Sequence, residues 1–159
     1  PNAYEGAKAL ANGEVTRAHY ARYLVQIGKV SNDGQAFKCY LGGGKSCFVK
    51  AEWVDIPTAI ETIHAAGGVA VIAHPMRYNM TGKWIRRLII DFKQWGGDGM
   101  EVADSGQTKD QRQYLARLAN EYDLAASLGS DFHFPCGWIE LGKNLFLPEE
   151  VKPIWTLFE

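Results

Sequence analysis

Apolar positions follow one rhythm before about residue 55 and another after it. In the first stretch Thr16 is a good helix N-cap, and Tyr20, Leu24 and Ile27 fall at i, i+4 and i+7 on one face. That helix is predicted to close at Gly28. Ser31 predicts the cap of a second short helix carrying Phe37, Tyr40 and Leu41, ended by Gly42-Gly43-Gly44. The two read as a small helical hairpin in residues 1–55, without a strand. Residues 1–12 do not read as the start of a folded unit.

From residue 56 helices and strands alternate. A helix over 56–66, with Pro57 in its first turn, ends at Gly67-Gly68 and leads into the apolar run Val69-Ala70-Val71-Ile72-Ala73. Such a run suits a strand buried on both faces. Trp84, Ile85, Leu88, Ile89 and Phe92 predict the next helix, closed by Gly96-Gly97, and Met100-Glu101-Val102-Ala103 a second strand. Thr108 with Gln111 forms a capping box for a helix burying Tyr114, Leu115, Leu118 and Tyr122. Leu124-Ala125-Ala126-Ser127-Leu128 is the third strand. Alternation of this kind argues for an α/β fold with a parallel sheet, or a sector of a barrel. A complete eightfold barrel needs about 250 residues.

Composition narrows the reading. The chain has 159 residues, 47% of them hydrophobic and 22% charged, which is enough for a real core and excludes disorder. The formal net charge of −1 means that any phosphate or nucleic-acid contact must come from a local site. No apolar run approaches the ~18 residues of a membrane span, and no signal-peptide pattern is present. Cys39, Cys47 and Cys136 match no zinc template and no disulfide framework, so a reducing, cytoplasmic setting is expected. The five tryptophans are expected mostly in the core. Pro1-Asn2 without an initiator Met suggests a piece of a longer protein.

Parallel α/β folds collect ligands beyond the C-terminal ends of their strands. His74-Pro75 follows the first strand, Glu101 sits near the end of the second, and Ser130-Asp131-Phe132-His133 follows the third. In an extended segment Asp131 and His133, at i and i+2, would leave the same face and reach a common ion. Imidazole with carboxylate suits zinc, manganese or iron, and such mixed sites tend to be catalytic. His74, Asp131 and His133 are therefore expected to converge within several ångströms of one point. Glu101 is expected to orient a ligating histidine without itself touching the ion. Arg77 lies close enough to His74 to serve as a phosphate contact. Arg17 and His19, near a helix start where anions are favoured, are further anion contacts. His64, beside Ile60 and Ile63, reads as structural. No Gly-x-Gly-x-x-Gly follows a strand, which removes a dinucleotide-binding domain.

Ala73-His74-Pro75-x-Arg77-Tyr78, Gly99-Met100-Glu101-Val102-Ala103 and Gly129-Ser130-Asp131-Phe132-His133 together resemble the PHP (polymerase and histidinol phosphatase) family. Within it the chain is most similar to the nucleoside 3′,5′-bisphosphate phosphatases and 5′–3′ exoribonucleases (RNase AM or TrpH-like). Thr16-Arg17-x-His19-Tyr20-Ala21-Arg22 resembles the helical insertion of that subgroup. Asp131-Phe132-His133-x-Pro135-Cys136-x-Trp138-Ile139-Glu140-Leu141-Gly142 resembles its C-terminal signature. The resemblance implies a distorted (β/α)7 barrel, of which this chain is a C-terminal sector: a helical insertion in 1–55 and βα units in 56–159. It also implies that His74, Asp131 and His133 hold part of a cluster of divalent ions, manganese first and zinc or iron next. Arg77, Arg17 and His19 would then contact a nucleotide or short RNA whose phosphate ester is hydrolysed by a metal-activated water. The family's His-x-His is absent, so the missing N-terminal half of the barrel is an expected partner. An open sheet edge is an expected route to self-association, and the chain alone is expected to be inactive. The alternative function is a non-catalytic PHP-like scaffold or partner-binding module.

Overall fold

The structure is a computed structural model that describes residues 2–133 and 139–158. Cys136 and Trp138, with part of the C-terminal signature, lie outside the described residues. The chain divides into two compact units, 1–53 and 54–159. The sequence reading set the division two residues later.

The first unit is helical. Helix α1 (Ala3–Lys8) is capped by Asn2, whose side chain accepts from the Tyr4 N–H, and it buries Ala7. Residues 1–12 thus hold an element that periodicity missed, because six residues are too short to show an amphipathic stripe. Gly6 of this helix meets the Tyr23 ring so closely that an added Cβ would fall 2.1 Å from Cε2. Helix α2 (Arg17–Gln26) starts after Thr16 and buries Ala21 and Tyr23, while Ile27 is exposed just past its end. Gly28, at φ +70°, lets the Lys29 N–H turn back onto the Leu24 carbonyl, which closes the helix where the sequence placed its end. Helix α3 (Asp33–Ala36) is capped by Asn32, one residue beyond the expected Ser31, and continues into a π-helical turn over Phe37–Leu41. Ser31 instead bonds the Gln35 side chain. Ala21, Val30, Ala36 and Leu41 form the small core of this unit.

The second unit carries the sheet. Helix α4 (Ile56–Ala65) is capped by Asp55, which accepts from the Thr58 N–H at 2.9 Å. Strand β1 (Val71–Ile72), helix α5 (Gly82–Gln94), strand β2 (Gly99–Asp104), helix α6 (Lys109–Glu121) and strand β3 (Ala125–Gly129) follow. The three strands are parallel in the order β1-β2-β3, as the alternation predicted. The Thr108–Gln111 capping box of α6 is present. Ile60, Ile72, Ile89, Phe92, Met100, Val102, Leu115 and Leu118 fill one core between helices and sheet. The buried stripe of α5 is Ile85, Ile89 and Phe92, spaced four and three residues apart. Trp84 precedes that stripe by one residue, about 100° around the helix, and is 62% exposed. Trp53, Trp95 and Trp155 are exposed as well, so the described tryptophans are not core anchors.

Beside β3, Ala126 bridges to Pro153 and its N–H donates to the Lys152 carbonyl at 2.7 Å. The chain's own C-terminal segment therefore covers part of that edge. Among the described residues β1 pairs on one side only.

Candidate functional site

A one-residue bulge interrupts β2: Glu101 pairs with Ser127, but Ala103 pairs with Leu128, leaving Val102 as the extra residue. Regular alternation would send Glu101 and Asp104, three residues apart, to opposite faces. The bulge resets the phase, and both reach the segment after β1. Glu101 Oε2 accepts the His74 main-chain N–H at 2.7 Å, and Asp104 Oδ2 accepts from Arg77 Nε at 3.3 Å. His74 lies in the left-handed region at φ 33°, immediately before the 3-10 turn Pro75–Arg77 that carries Arg77 back over the strand ends. Asp131, just past β3, is left-handed too, at φ 54°. Such conformations in non-glycine residues concentrate where surrounding structure over-determines the backbone.

Arg77 is the hub. Its Nη1 donates to Asp131 while its Nε donates to Asp104, so one guanidinium joins the ends of β2 and β3. Burial would lower its pKa, but the two carboxylates outweigh that and the net shift is upward. Burial also raises the Glu101 pKa, helped by the nearby Asp104 and opposed chiefly by the His74 N–H that it accepts. Asp104 is almost completely buried, accepts the Gly106 N–H on Oδ1 at 2.6 Å, and donates its own N–H to Gln107. Its main-chain carbonyl takes Arg112 Nη2 at 3.2 Å, and the Arg112 guanidinium stacks 4.0 Å from the Phe146 ring centroid. Asp104 and Arg112 escaped the sequence reading. Asp104 was nonetheless legible as the acid directly after Ala103, at the strand end where chemistry collects.

The expected ligands share the C-terminal edge of the sheet, but not as a ready trio. Among the described residues no three His, Cys, Asp or Glu side chains are disposed around one ion position. The argument from an extended Asp131-x-His133 fails because the turn at Asp131 is left-handed, not extended. His133 Nδ1 instead lies 2.8 Å from the Asp131 main-chain oxygen and 3.8 Å from its Oδ1. Glu101 holds His74 through the main chain, not the ring. The donor chemistry nevertheless suits a divalent ion. Glu101, Asp104 and Asp131 outnumber the two guanidinium groups that bond this cluster, Arg77 and Arg112, and His74 Nδ1 is buried without a hydrogen-bond partner. Leaving such an atom unpaired is costly unless a partner arrives.

Arg17 and His19 lie in the helical unit. His19 Nδ1 accepts the Thr16 N–H at 3.0 Å, so the imidazole caps α2 and keeps only Nε2 for another contact. Arg17 opens the same helix and lines an apolar pocket of about 480 Å³ with Tyr20, Tyr23 and Leu24. His64 pairs through Nε2 with Asp98 at 2.8 Å, at the opposite end of the sheet.

No family model matches the chain. It is 81% identical over 158 residues to a 5′-3′ exoribonuclease of Haemophilus influenzae, covering 99% of this chain and 58% of that protein. It is 51% identical to the 5′-3′ exoribonuclease Rnm of Escherichia coli, covering 55% of it, and 42% identical to a 3′,5′-nucleoside bisphosphate phosphatase of Chromobacterium violaceum, covering 51%. Among solved structures, one described as an amidohydrolase from C. violaceum, with bound sulfate and no metal, superposes with a TM-score of 0.82 at 39% identity. The match covers 98% of this chain and 55% of that one. A candidate metal-dependent phosphoesterase from Bifidobacterium adolescentis superposes with a TM-score of 0.68 at 26% identity over 97% of this chain and 54% of that one. The fold resembles about half of these two solved structures, one of them described as a metal-dependent phosphoesterase. More narrowly, the chain is similar in sequence to proteins named 5′-3′ exoribonuclease and 3′,5′-nucleoside bisphosphate phosphatase. It spans little more than half the length of these relatives.

Proposed function

We propose that the chain is part of a metal-dependent phosphoesterase that hydrolyses phosphate esters of nucleotides or of RNA 5′ ends. The observation that carries the reading is the network joining His74, Arg77, Glu101, Asp104 and Asp131 at the strand ends, in a chain so similar to exoribonucleases. His74, Asp131 and His133 would hold divalent ions, with manganese the first candidate and zinc or iron next. Such ions supply an activated water and neutralise phosphoryl oxygens. Arg77 would offer a fork of donors to a substrate phosphate, and Glu101 would fix the backbone from which His74 projects. Arg17 and the free His19 Nε2 would contact the substrate's second phosphate. The rest of the barrel would complete the site along the unpaired side of β1. There Ile60, Val71, Tyr78 and Leu88 help to line an apolar pocket of about 350 Å³. Self-association along the same edge is the alternative cover. Free, exposed Cys39 and Cys47 are consistent with a cytoplasmic setting, and no helix among the described residues is long and apolar enough to cross a membrane.

The test is turnover of a nucleoside 3′,5′-bisphosphate with manganese by the full-length protein, meaning this chain at the length of its relatives. Arg17→Ala and His19→Ala are expected to raise KM more than they lower kcat, as contacts remote from the reacting phosphoryl group do. Metal-dependent turnover by residues 1–159 alone would show that this portion is a complete enzyme. A second reading, a non-catalytic scaffold or partner-binding module, is favoured by the lack of a preformed three-donor cluster among the described residues. A full-length protein that binds no divalent ion would establish it.

A further inference from the structure

Arg112 breaks three local rules at once. It is a buried cation, 4% exposed, and it lies in the first turn of α6, where the helix dipole disfavours positive charge. Its Nη2 donates to two main-chain carbonyls, Asp104 at 3.2 Å and Asn144 at 3.0 Å, neither of them a countercharge. Its Nε is buried without a hydrogen-bond partner among the described residues. Burial lowers its pKa, and the field of Asp104 opposes that without cancelling it. Replacing buried charges by hydrophobic side chains of similar volume is often neutral or stabilising, so a fold alone has little use for this arrangement. Conflicts of this kind concentrate at functional sites. Arg112 touches the residue that holds Arg77: Asp104 presents its carbonyl to Arg112 and its carboxylate to Arg77 Nε.

We propose that Arg112 is a positioning residue for substrate phosphate, acting through Asp104 on Arg77. Asp104 also bonds within its own turn: Oδ1 takes the Gly106 N–H, the carbonyl takes the Gln107 N–H at 3.3 Å, and its N–H goes to the Gln107 side chain. Those bonds travel with the turn. Arg112 instead ties the turn to Asn144, a left-handed residue, and the Phe146 ring covers the guanidinium 4.0 Å away. Arg77 has a side chain 37% exposed, so packing alone does not fix it, and Asp104, at 3%, is the more buried of its two carboxylate partners. Substrate affinity is what this relay governs, since a guanidinium fork that drifts loses the paired geometry a phosphate needs. The inference rests on the proposed role of Arg77 as a phosphate contact.

The test is a kinetic double-mutant cycle on the full-length protein, with a nucleoside 3′,5′-bisphosphate as substrate and manganese present. Arg112→Met removes every donor at similar volume. It is expected to raise KM about tenfold with kcat within about twofold, the low end of what losing an outer supporting group costs. Arg112→Lys returns a cation and one donor, and a rise of about threefold is expected. In an Arg77→Ala background Arg112→Met is expected to change KM by less than about twofold, because nothing remains for Asp104 to hold. A purely structural clamp would lower the urea midpoint and leave KM alone. Unchanged KM in Arg112→Met, or an equal rise with and without Arg77, would overturn the proposal. Should Arg112→Met fail to fold, Arg112→Lys carries the same cycle, and an unchanged KM there would overturn it equally. Should Arg77→Ala keep the wild-type KM, the phosphate role of Arg77 itself fails, an outcome distinct from failure of the relay.

Discussion

The two ends of the parallel sheet use the same residue types to opposite effect. At the N-terminal end Asp98 accepts the Ala70 N–H at 2.7 Å and His64 Nε2 at 2.8 Å through one oxygen. The pair ties the last turn of α4 to the start of β2. At the C-terminal end His74, Glu101, Asp104, Asp131 and His133 come with a bulge, two left-handed residues and an unpartnered buried nitrogen. A histidine–aspartate pair whose bonds are satisfied stabilises a fold. A cluster with surplus negative charge and unmet donors is arranged for something outside the chain. Residue identity does not separate the two ends; saturation does.

The largest expected effect lies at the C-terminal end. In the full-length protein Asp131→Asn or His133→Ala is expected to lower metal-dependent turnover at least about 100-fold with far-UV circular dichroism unchanged, since even changes outside the ligand set cost about 10–100-fold. Asp98→Asn, assayed alongside, is expected to keep turnover within about twofold. The contrast reverses for stability. Asp98→Ala strands the Ala70 N–H and removes the His64 partner, a loss of about 1–3 kcal/mol in urea unfolding without a change in kcat. Gly129→Ala comes next. Its Cβ would stand 3.2 Å from Glu101 Oε1, so the carboxylate must shift by a few tenths of an ångström; a lowered metal affinity with little loss of stability is expected.

The smallest effect is a pH dependence. Folding raises the Glu101 pKa through burial, so the protonated form gains relative to its balance in the unfolded chain. The stability it contributes is fully present below the unfolded carboxylate range and is lost as pH rises through the folded value. Glu101→Gln keeps an acceptor for the His74 N–H and removes the charge. In chelator-treated protein, wild type is therefore expected to lose stability relative to Glu101→Gln as pH rises from about 4 to 8, as read from urea midpoints. A flat difference would mean that the carboxylate is better solvated than its burial implies.

Much of the α/β unit was legible because its signals are local. Helices ended where Gly67 and Gly96 supply a positive φ, and Asp123 does the same at φ 50° after α6 without any glycine to announce it. The parallel strands followed from short apolar runs alternating with amphipathic helices. The site was legible as an edge but not as a geometry. Strand-end placement pointed to His74, Glu101, Asp131 and His133 as candidates, yet the left-handed turn at Asp131 depends on tertiary contacts that no spacing encodes. Asp104 was missed because its value comes from the bulge at Val102, which sets its side chain toward Arg77. In the helical unit His19 was read as an anion contact, and the structure shows its Nδ1 capping α2, a use the sequence reading did not assign to it.

Metal content tests the difference between the two ends most directly. The full-length protein would be stripped, reloaded with manganese, dialysed and counted by plasma mass spectrometry as wild type, Asp131→Asn and Asp98→Asn. The account predicts that Asp131→Asn retains fewer ions per chain than wild type, while Asp98→Asn retains the wild-type number. Equal loading of all three proteins would contradict it, placing the ions away from the strand ends that hold Asp131.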